Sequence, residues 1–250
     1  MRALRGVEGG SPGFRDEFEV AYLAADGVER RVVLASAAEV RFEDARPVRA
    51  FPSYKGQRNN PGLYWSATMG RHVAYESWLE RDHAMELDFD PAVVAYVPQP
   101  FWLFWCQEGR PRSHAPDWFA RLDDGGGLVV DCRPDERVKP RDEQAFVATG
   151  RACARLGWTF RRLGAVDGVR LANVRWLAGY RHPRHRVGPV AWRLLGAFAR
   201  PRALLEGAEA VGDPIAVLPV LYHLLWCHEL RVDLSVLLGG RSLVWAEVAR

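Results

Sequence analysis

Lysine is nearly missing from this chain. Only Lys55 and Lys139 occur among 250 residues, so 32 of the 34 basic side chains are arginine. A mechanism that needs a lysine has two positions to draw on. Cysteine is sparse as well. Cys106, Cys132, Cys153 and Cys227 include no Cys-x-x-Cys pair, which argues against a zinc ribbon or a thioredoxin motif. Four cysteines in a chain of this length do not make a disulfide framework, and a reducing cytosol is the simpler setting. Long apolar runs are absent. Residues 215–226 come nearest, but they fall short of the roughly 18 residues a membrane helix needs and contain His223. Residues 1–10 hold two arginines and no apolar segment, so no secretory signal is expected. The expectation is a cytoplasmic protein with no membrane partner.

What is present suffices for a core. Hydrophobic residues make up 48% and charged residues 26%, which excludes a disordered or fibrous chain. The length allows one large domain or two small ones. The net charge of +3 hides an uneven distribution. Between Glu76 and Asp90, six acids stand against Arg81 alone; between Arg151 and Arg186, nine arginines stand against Asp167 alone. Such blocks are solvated faces, or they suit a metal site beside a phosphate-binding surface. The arginine excess follows from base composition as readily as from a need for planar phosphate-binding forks.

Alternation predicts strands over residues 18–24 and 29–34, joined at Asp26-Gly27. A loop rich in Gly, Pro and Asn, residues 51–64, carries Lys55 and Arg58. Residues 71–87 read as a helix. Tyr75, Trp78, Leu79 and Met85 form its apolar side, with Glu76, Ser77, Glu80, His83 and Leu87 opposite. Strands are expected at 93–97, 102–106, 118–122, 128–132 and 159–163, with a hairpin turn at 123–127. Asp142 is expected to cap a helix that runs to Leu156 and ends at Gly157. This order predicts an α/β plan, a mixed sheet flanked by helices. Beyond the polar stretch 182–186, three helical patterns and two strands make the plan of a small winged-helix domain. The boundary falls near Val187, giving units of residues 1–187 and 188–250.

One constellation carries chemistry. Asp131 and Arg133 lie two apart at the end of a predicted strand and so share a face. The hairpin brings Asp117, which follows Pro116 at the start of the preceding strand, near Asp131. A helix packed on the sheet would bring Glu80 over the same point. Clustered carboxylates gather Mg²⁺, a hard cation that keeps its waters. Such a metal activates water and neutralises charge during phosphodiester hydrolysis. A nearby cation places the water or stabilises the phosphate.

Pro116-Asp117 followed by Asp131-Cys132-Arg133 resembles the motif of the PD-(D/E)XK nuclease superfamily. The setting extends the likeness. Ser77-Trp78-Leu79-Glu80, Leu87-Asp88-Phe89-Asp90, Pro98-Gln99-Pro100, Val129-Val130-Asp131-Cys132-Arg133-Pro134 and Asn173-Val174-Arg175-Trp176-Leu177 are similar to segments of TnsA-like proteins. These are the endonuclease subunits of heteromeric bacterial transposases. The likeness covers roughly residues 51–186, and the family's winged-helix domain extends it to the end. It implies a restriction-endonuclease-like fold and hydrolysis of one strand of double-stranded DNA at transposon ends. It also implies a partner transposase that cuts and joins the other strand, and a regulatory ATPase subunit. Glu80, Asp117 and Asp131 would hold Mg²⁺, with Mn²⁺ as a substitute and the carbonyl of Cys132 as a backbone ligand.

Arg133 stands where the family has its catalytic lysine. Arginine stays protonated and cannot serve as a general base. Three readings stay open. Arg133 replaces the lysine electrostatically; Lys139 or Lys55 reaches in; or the nuclease is degenerate, and the protein is a DNA-binding or scaffold component of a transposition or defence complex. Around the site, Glu76, Gln99, His114 and Gln144 are candidates for supporting roles. Their plainer readings are a solvated helix carboxylate, an organiser of turn hydrogen bonds, a loop histidine and a helix-surface amide. Lys55, Arg58, Arg175, Arg181, Arg184 and Arg186 are the candidate DNA contacts. Six arginines balance six acids in roughly the last sixty residues, so the C-terminal unit is expected to meet proteins, or DNA only weakly. A winged-helix regulator would explain that unit alone.

Overall fold

The computed structural model describes residues 18–49 and 60–247. Lys55 and Arg58 lie outside the described residues. Strands β1 (Glu19–Leu23) and β2 (Glu29–Val33) form the expected hairpin. Its turn is fixed by the Val28 N–H donating to Asp26 Oδ1 and by Gly27 at φ +84°. Helix α1 (Leu34–Ala37) and a 3₁₀ turn at Phe42–Asp44 follow.

The next segment departs from expectation. Residues 71–75 are not helical: β3 (Gly62–Ser66) and β4 (Arg71–Tyr75) form a second hairpin, with Val73 and Tyr75 turned inward. Only glycine fits at position 62, because a Cβ there would stand 2.4 Å from the Tyr75 hydroxyl. Helix α2 (Trp78–Phe89) starts at Ser77, whose Oγ accepts the Glu80 N–H at 3.2 Å. Ser77-x-x-Glu80 is a capping box, and this local start signal overrides the periodicity upstream of it.

Strands β5 (Val93–Pro98), β6 (Trp102–Gln107), β7 (Arg110–His114), β8 (Trp118–Leu122) and β9 (Gly127–Cys132) come next. Of these, β7 was not expected. Helix α3 (Pro140–Arg155) is capped by Lys139 rather than Asp142. Asp142 lies within the first turn, where its carboxylate accepts the Lys139 N–H at 3.2 Å. Gly157, at φ +69°, ends it as anticipated. Then come β10 (Thr159–Leu163) and α4 (Gly168–Ala178), a helix announced by its cap Asp167 rather than by any apolar stripe. After a 3₁₀ turn at Pro183–His185 the chain adds α5 (Gly188–Ala197), β11 (Arg202–Ala203), α6 (Leu204–Glu209), α7 (Pro214–Trp226), β12 (Leu230–Val232) and β13 (Leu243–Ala246).

The protein is therefore mixed α/β, with seven α-helices and four sheets among the described residues. One sheet, ordered β10-β9-β8-β5, is mixed: β10 runs parallel to β9 and the other pairings are antiparallel. Its residues divide by the period of two. Tyr96, Trp118, Ala120, Leu128 and Val130 join a core with α2, α4 and α7. Val97, Phe119 and Val129 join a second core with α3 and the sheet ordered β2-β1-β6-β7. The first core continues without a break through Leu194, Phe198, Leu221 and Val244, so residues on both sides of Val187 share it. Among the described residues no helix is long and apolar enough to cross a membrane.

Candidate functional site

The β8–β9 register pairs Trp118 with Val130, and one further step sets Asp117 across from Asp131. Asp117 Oδ2 accepts the Cys132 N–H at 2.7 Å, and its carbonyl accepts the Gln99 N–H at 2.8 Å. Asp131 is 3% exposed. His114 Nε2 lies 2.9 Å from each Asp131 oxygen, so as Nε2–H it donates to that carboxylate, while its ring edge rests on Phe146 of α3. His114 is thus the last residue of β7 and not a loop histidine. Glu80 is buried. Its Oε2 accepts the Glu76 N–H and its Oε1 accepts the Ser77 hydroxyl, both at 2.8 Å.

These carboxyls act on one another. Asp117 is half-buried, yet the protein packed around it makes lost hydration the largest force on its proton affinity. The charges of Asp131 and then Glu80 add to it, and together they lift the Asp117 pKa well above the usual carboxylate range. Glu80 is raised too, by burial first, against the hydrogen bonds from Glu76 and Ser77. The Cys132 thiol is pushed up by burial and by all three acids. The cation that opposes the shift of both Asp117 and Glu80 is Arg49. No motif pointed to Arg49. Only a tertiary hydrogen bond, Val48 N–H to the Gln99 carbonyl at 3.0 Å, brings its segment here.

The other candidates fall in different places. Arg133 is exposed just past β9; its N–H donates to Leu163 and its carbonyl accepts from Arg162. Lys139 is exposed at the head of α3. Glu76 makes a long ion pair with Arg49 at 3.5 Å. Gln99 is buried at φ +45°. Gln144 is exposed and lines a surface groove with Trp105, Cys106 and Val147.

The acidic and basic blocks meet at two ion pairs. Arg175 grips Asp82, with Nη2 2.8 Å from both carboxylate oxygens, and Arg170 Nη2 binds Glu86 at 2.7 Å. Arg186 pairs with Glu229. Arg181 donates to the carbonyls of Trp65 and Ala178 and lies over Tyr64. Arg184 leans on His185. All four described arginines proposed to meet DNA thus have internal partners. The side of α2 read as polar is also corrected: of Glu76, Ser77, Glu80, His83 and Leu87, the last three are buried, as are Asp82 and Asp88, while Glu76 and Ser77 precede the helix and are half-buried. Packing against α4 and the β3–β4 hairpin supplies the partners that make this affordable.

Hard carboxylate and carbonyl oxygens are what Mg²⁺ selects, and the charges of Asp131 and Glu80 acting on Asp117 are a field that a cation relieves. In kind the donors fit. In arrangement, no group of three or more acidic, histidine or cysteine side chains among the described residues is gathered to hold a metal ion. No protein-family model matches the chain, and no curated protein matches it either.

Proposed function

We propose that this protein is a TnsA-like, metal-dependent DNA endonuclease subunit of a heteromeric transposase, hydrolysing one strand of double-stranded DNA at transposon ends. The observation that carries the reading is the meeting of Asp117 and Asp131 at adjoining strand ends, with the charge of Glu80 felt by Asp117. A carboxyl whose pKa is raised by lost hydration and by neighbouring acids is a feature that clusters at working sites. The fold reading that goes with it is a restriction-endonuclease-like core, the β10-β9-β8-β5 sheet with α2 and α3, followed by a winged helix built from α5 to α7 and the β11-β13-β12 sheet.

Mg²⁺, with Mn²⁺ as a substitute, is the cofactor of this reading. Asp117, Asp131 and the Cys132 carbonyl would hold it with Glu80 alongside, and the ion would supply Lewis acidity toward water and the phosphate oxygens. The chain's own groups set the rest. The Cys132 N–H aims the Asp117 carboxylate, and His114 fixes that of Asp131. Ser77 and the Glu76 N–H hold Glu80. Arg133, always protonated, would meet the phosphodiester as a charge and not as a base. The partners are a transposase that processes the other strand and a regulatory ATPase.

The full-length protein, its partner transposase, a transposon-end duplex and Mg²⁺ make the test. Wild type is expected to nick, and Asp117→Ala to lose more than about 100-fold in rate. Equal nicking by the variant sinks the assignment. A second reading, a degenerate nuclease fold that binds DNA or a partner as a scaffold, is favoured by one observation: all three carboxyls already have hydrogen-bond partners in the protein. A silent wild type that gains cleavage as Arg133→Lys selects it.

A further inference from the structure

Phosphodiester cleavage at these carboxyls needs a positive group against the phosphate, and the motif position for it, Arg133, is exposed beyond the end of β9. A different cation is tied into the cluster. Arg49 is half-buried. Its guanidinium makes one long ion pair with Glu76 at 3.5 Å and stands 6.0 Å from the centre of the Trp102 ring. The N–H of that same Glu76 is held by Glu80. On the other side, Val48 bonds the Gln99 carbonyl, and Gln99 bonds the Asp117 carbonyl. Arg49 is therefore linked to Glu80 through one residue and to Asp117 through another, and its charge bears on both carboxyls.

The polar groups at this junction are unsatisfied. Arg49 Nε and both ends of the Gln99 amide are buried with no hydrogen-bond partner, and Gln99 is 1% exposed. Leaving such groups unpaired costs stability, and proteins keep few of them. Gln99 also holds a left-handed backbone at φ +45° directly before Pro100, a position that disfavours helical conformations. Strain and unpaired polarity of this kind concentrate at functional sites. A guanidinium with a free N–H matches an anion with several acceptor oxygens, and a phosphodiester is one.

We propose that Arg49 binds the scissile phosphate of duplex DNA at this site. The inference rests on the nuclease reading above. It moves the cation of the reaction from the end of β9 to Arg49, so that the scarcity of lysine no longer decides activity.

Two measurements on the full-length protein test it: duplex affinity in EDTA between 50 and 200 mM salt, and Mg²⁺-dependent nicking with the partner transposase. Arg49→Gln keeps most of the side-chain stem. It is expected to weaken duplex binding by about tenfold and to lower the salt slope by about one, with nicking reduced at least as much. Arg49→Lys is expected to restore the slope without full nicking, which a purely structural role would not produce. Arg141→Ala, an exposed arginine on α3, controls for general charge loss. An Arg49→Gln protein that keeps its slope and nicks within about threefold of wild type overturns the proposal. So does a larger loss on both readouts from Arg133→Ala. If Asp117→Ala nicks like wild type while Arg49→Gln still loses its slope, the nuclease reading fails and Arg49 stands as a phosphate contact. A wild-type chain that does not bind duplex overturns both.

Discussion

One helix carries two kinds of carboxylate. Beyond the first turn of α2, three acids have strong partners, although Glu86 Oε1 is buried without one. Asp88 accepts from the Tyr64 hydroxyl at 2.8 Å, the Ser66 hydroxyl at 2.7 Å, and the Ala67 and Thr68 N–H groups at 3.0 and 2.8 Å. Asp82 is gripped by Arg175, and Glu86 by Arg170. At the N-terminal end, Glu80 is buried with two hydrogen bonds and its pKa is raised by that burial, while its charge, after that of Asp131, helps lift the pKa of Asp117. A carboxylate whose lone pairs are all answered is part of the scaffold. A carboxyl crowded by other acids, as Asp117 is, costs stability, and such sites persist where function needs them. The contrast separates the acidic block into a structural half and a candidate working half, which charge along the chain had left undivided.

Breaking the structural half is expected to have the largest effect on folding. Asp88→Ala strands four donors, two of them backbone, and removes the tie between α2 and the β3–β4 turn. It is expected to destabilise by about 3 kcal/mol or more in urea unfolding. A loss below 1 kcal/mol would put Asp88 with the working carboxyls instead.

The working half is expected to respond in the opposite direction. Asp117→Asn keeps an acceptor for the Cys132 N–H while removing a repelled charge. It is expected to gain about 1 kcal/mol, roughly 2–4 °C in melting temperature, while activity disappears. The pH dependence sharpens the point. Asp117 and Glu80 hold their protons to higher pH folded than unfolded, so the native state binds more protons. Their contribution is therefore most favourable below the ordinary carboxyl pKa near 4 and declines as pH rises through the raised folded values. Melting curves in EDTA across that range are expected to show a shallower decline for Asp117→Asn. An unchanged slope would deny the coupling.

The smallest effect belongs to the exposed zipper between α2 and α4. Arg170→Ala removes an ion pair whose arginine is 45% exposed, and about 0.5 kcal/mol is expected. A loss of 2 kcal/mol would show that this pair is part of the core.

Much of the site was legible because it is local. The run Asp123-Asp124-Gly125-Gly126-Gly127 between two apolar stretches specifies a hairpin, and the period of two then sets Asp117 opposite Asp131. The ends of β1, β5, β9 and α3 were likewise written in turn residues and Gly157. The start of α2 was written too, in Ser77-x-x-Glu80, but a weak apolar periodicity upstream masked it, and β3 and β4 were missed with it. The strand β7 hid because Arg110, Pro111, Arg112 and Ser113 are exposed at a sheet edge, so no burial pattern marks them. His114 was therefore placed in a loop, although it contacts Asp131 directly.

By itself, the sequence determined which acids could lie on one strand pair and that position 133 is arginine. Turn chemistry and side-chain alternation act over a few residues, and a single chain records them. Tertiary structure alone decided which carboxylates are neutralised and which are not. Asp82 finds Arg175 at a separation of 93 residues, Glu86 finds Arg170 at 84, and Arg49 reaches Glu76 at 27. The Coulomb energy of a charge depends on distance and on the medium between partners. Packing sets both, and for these residues packing means α4 on α2 and Arg49 beside the Asp117 strand.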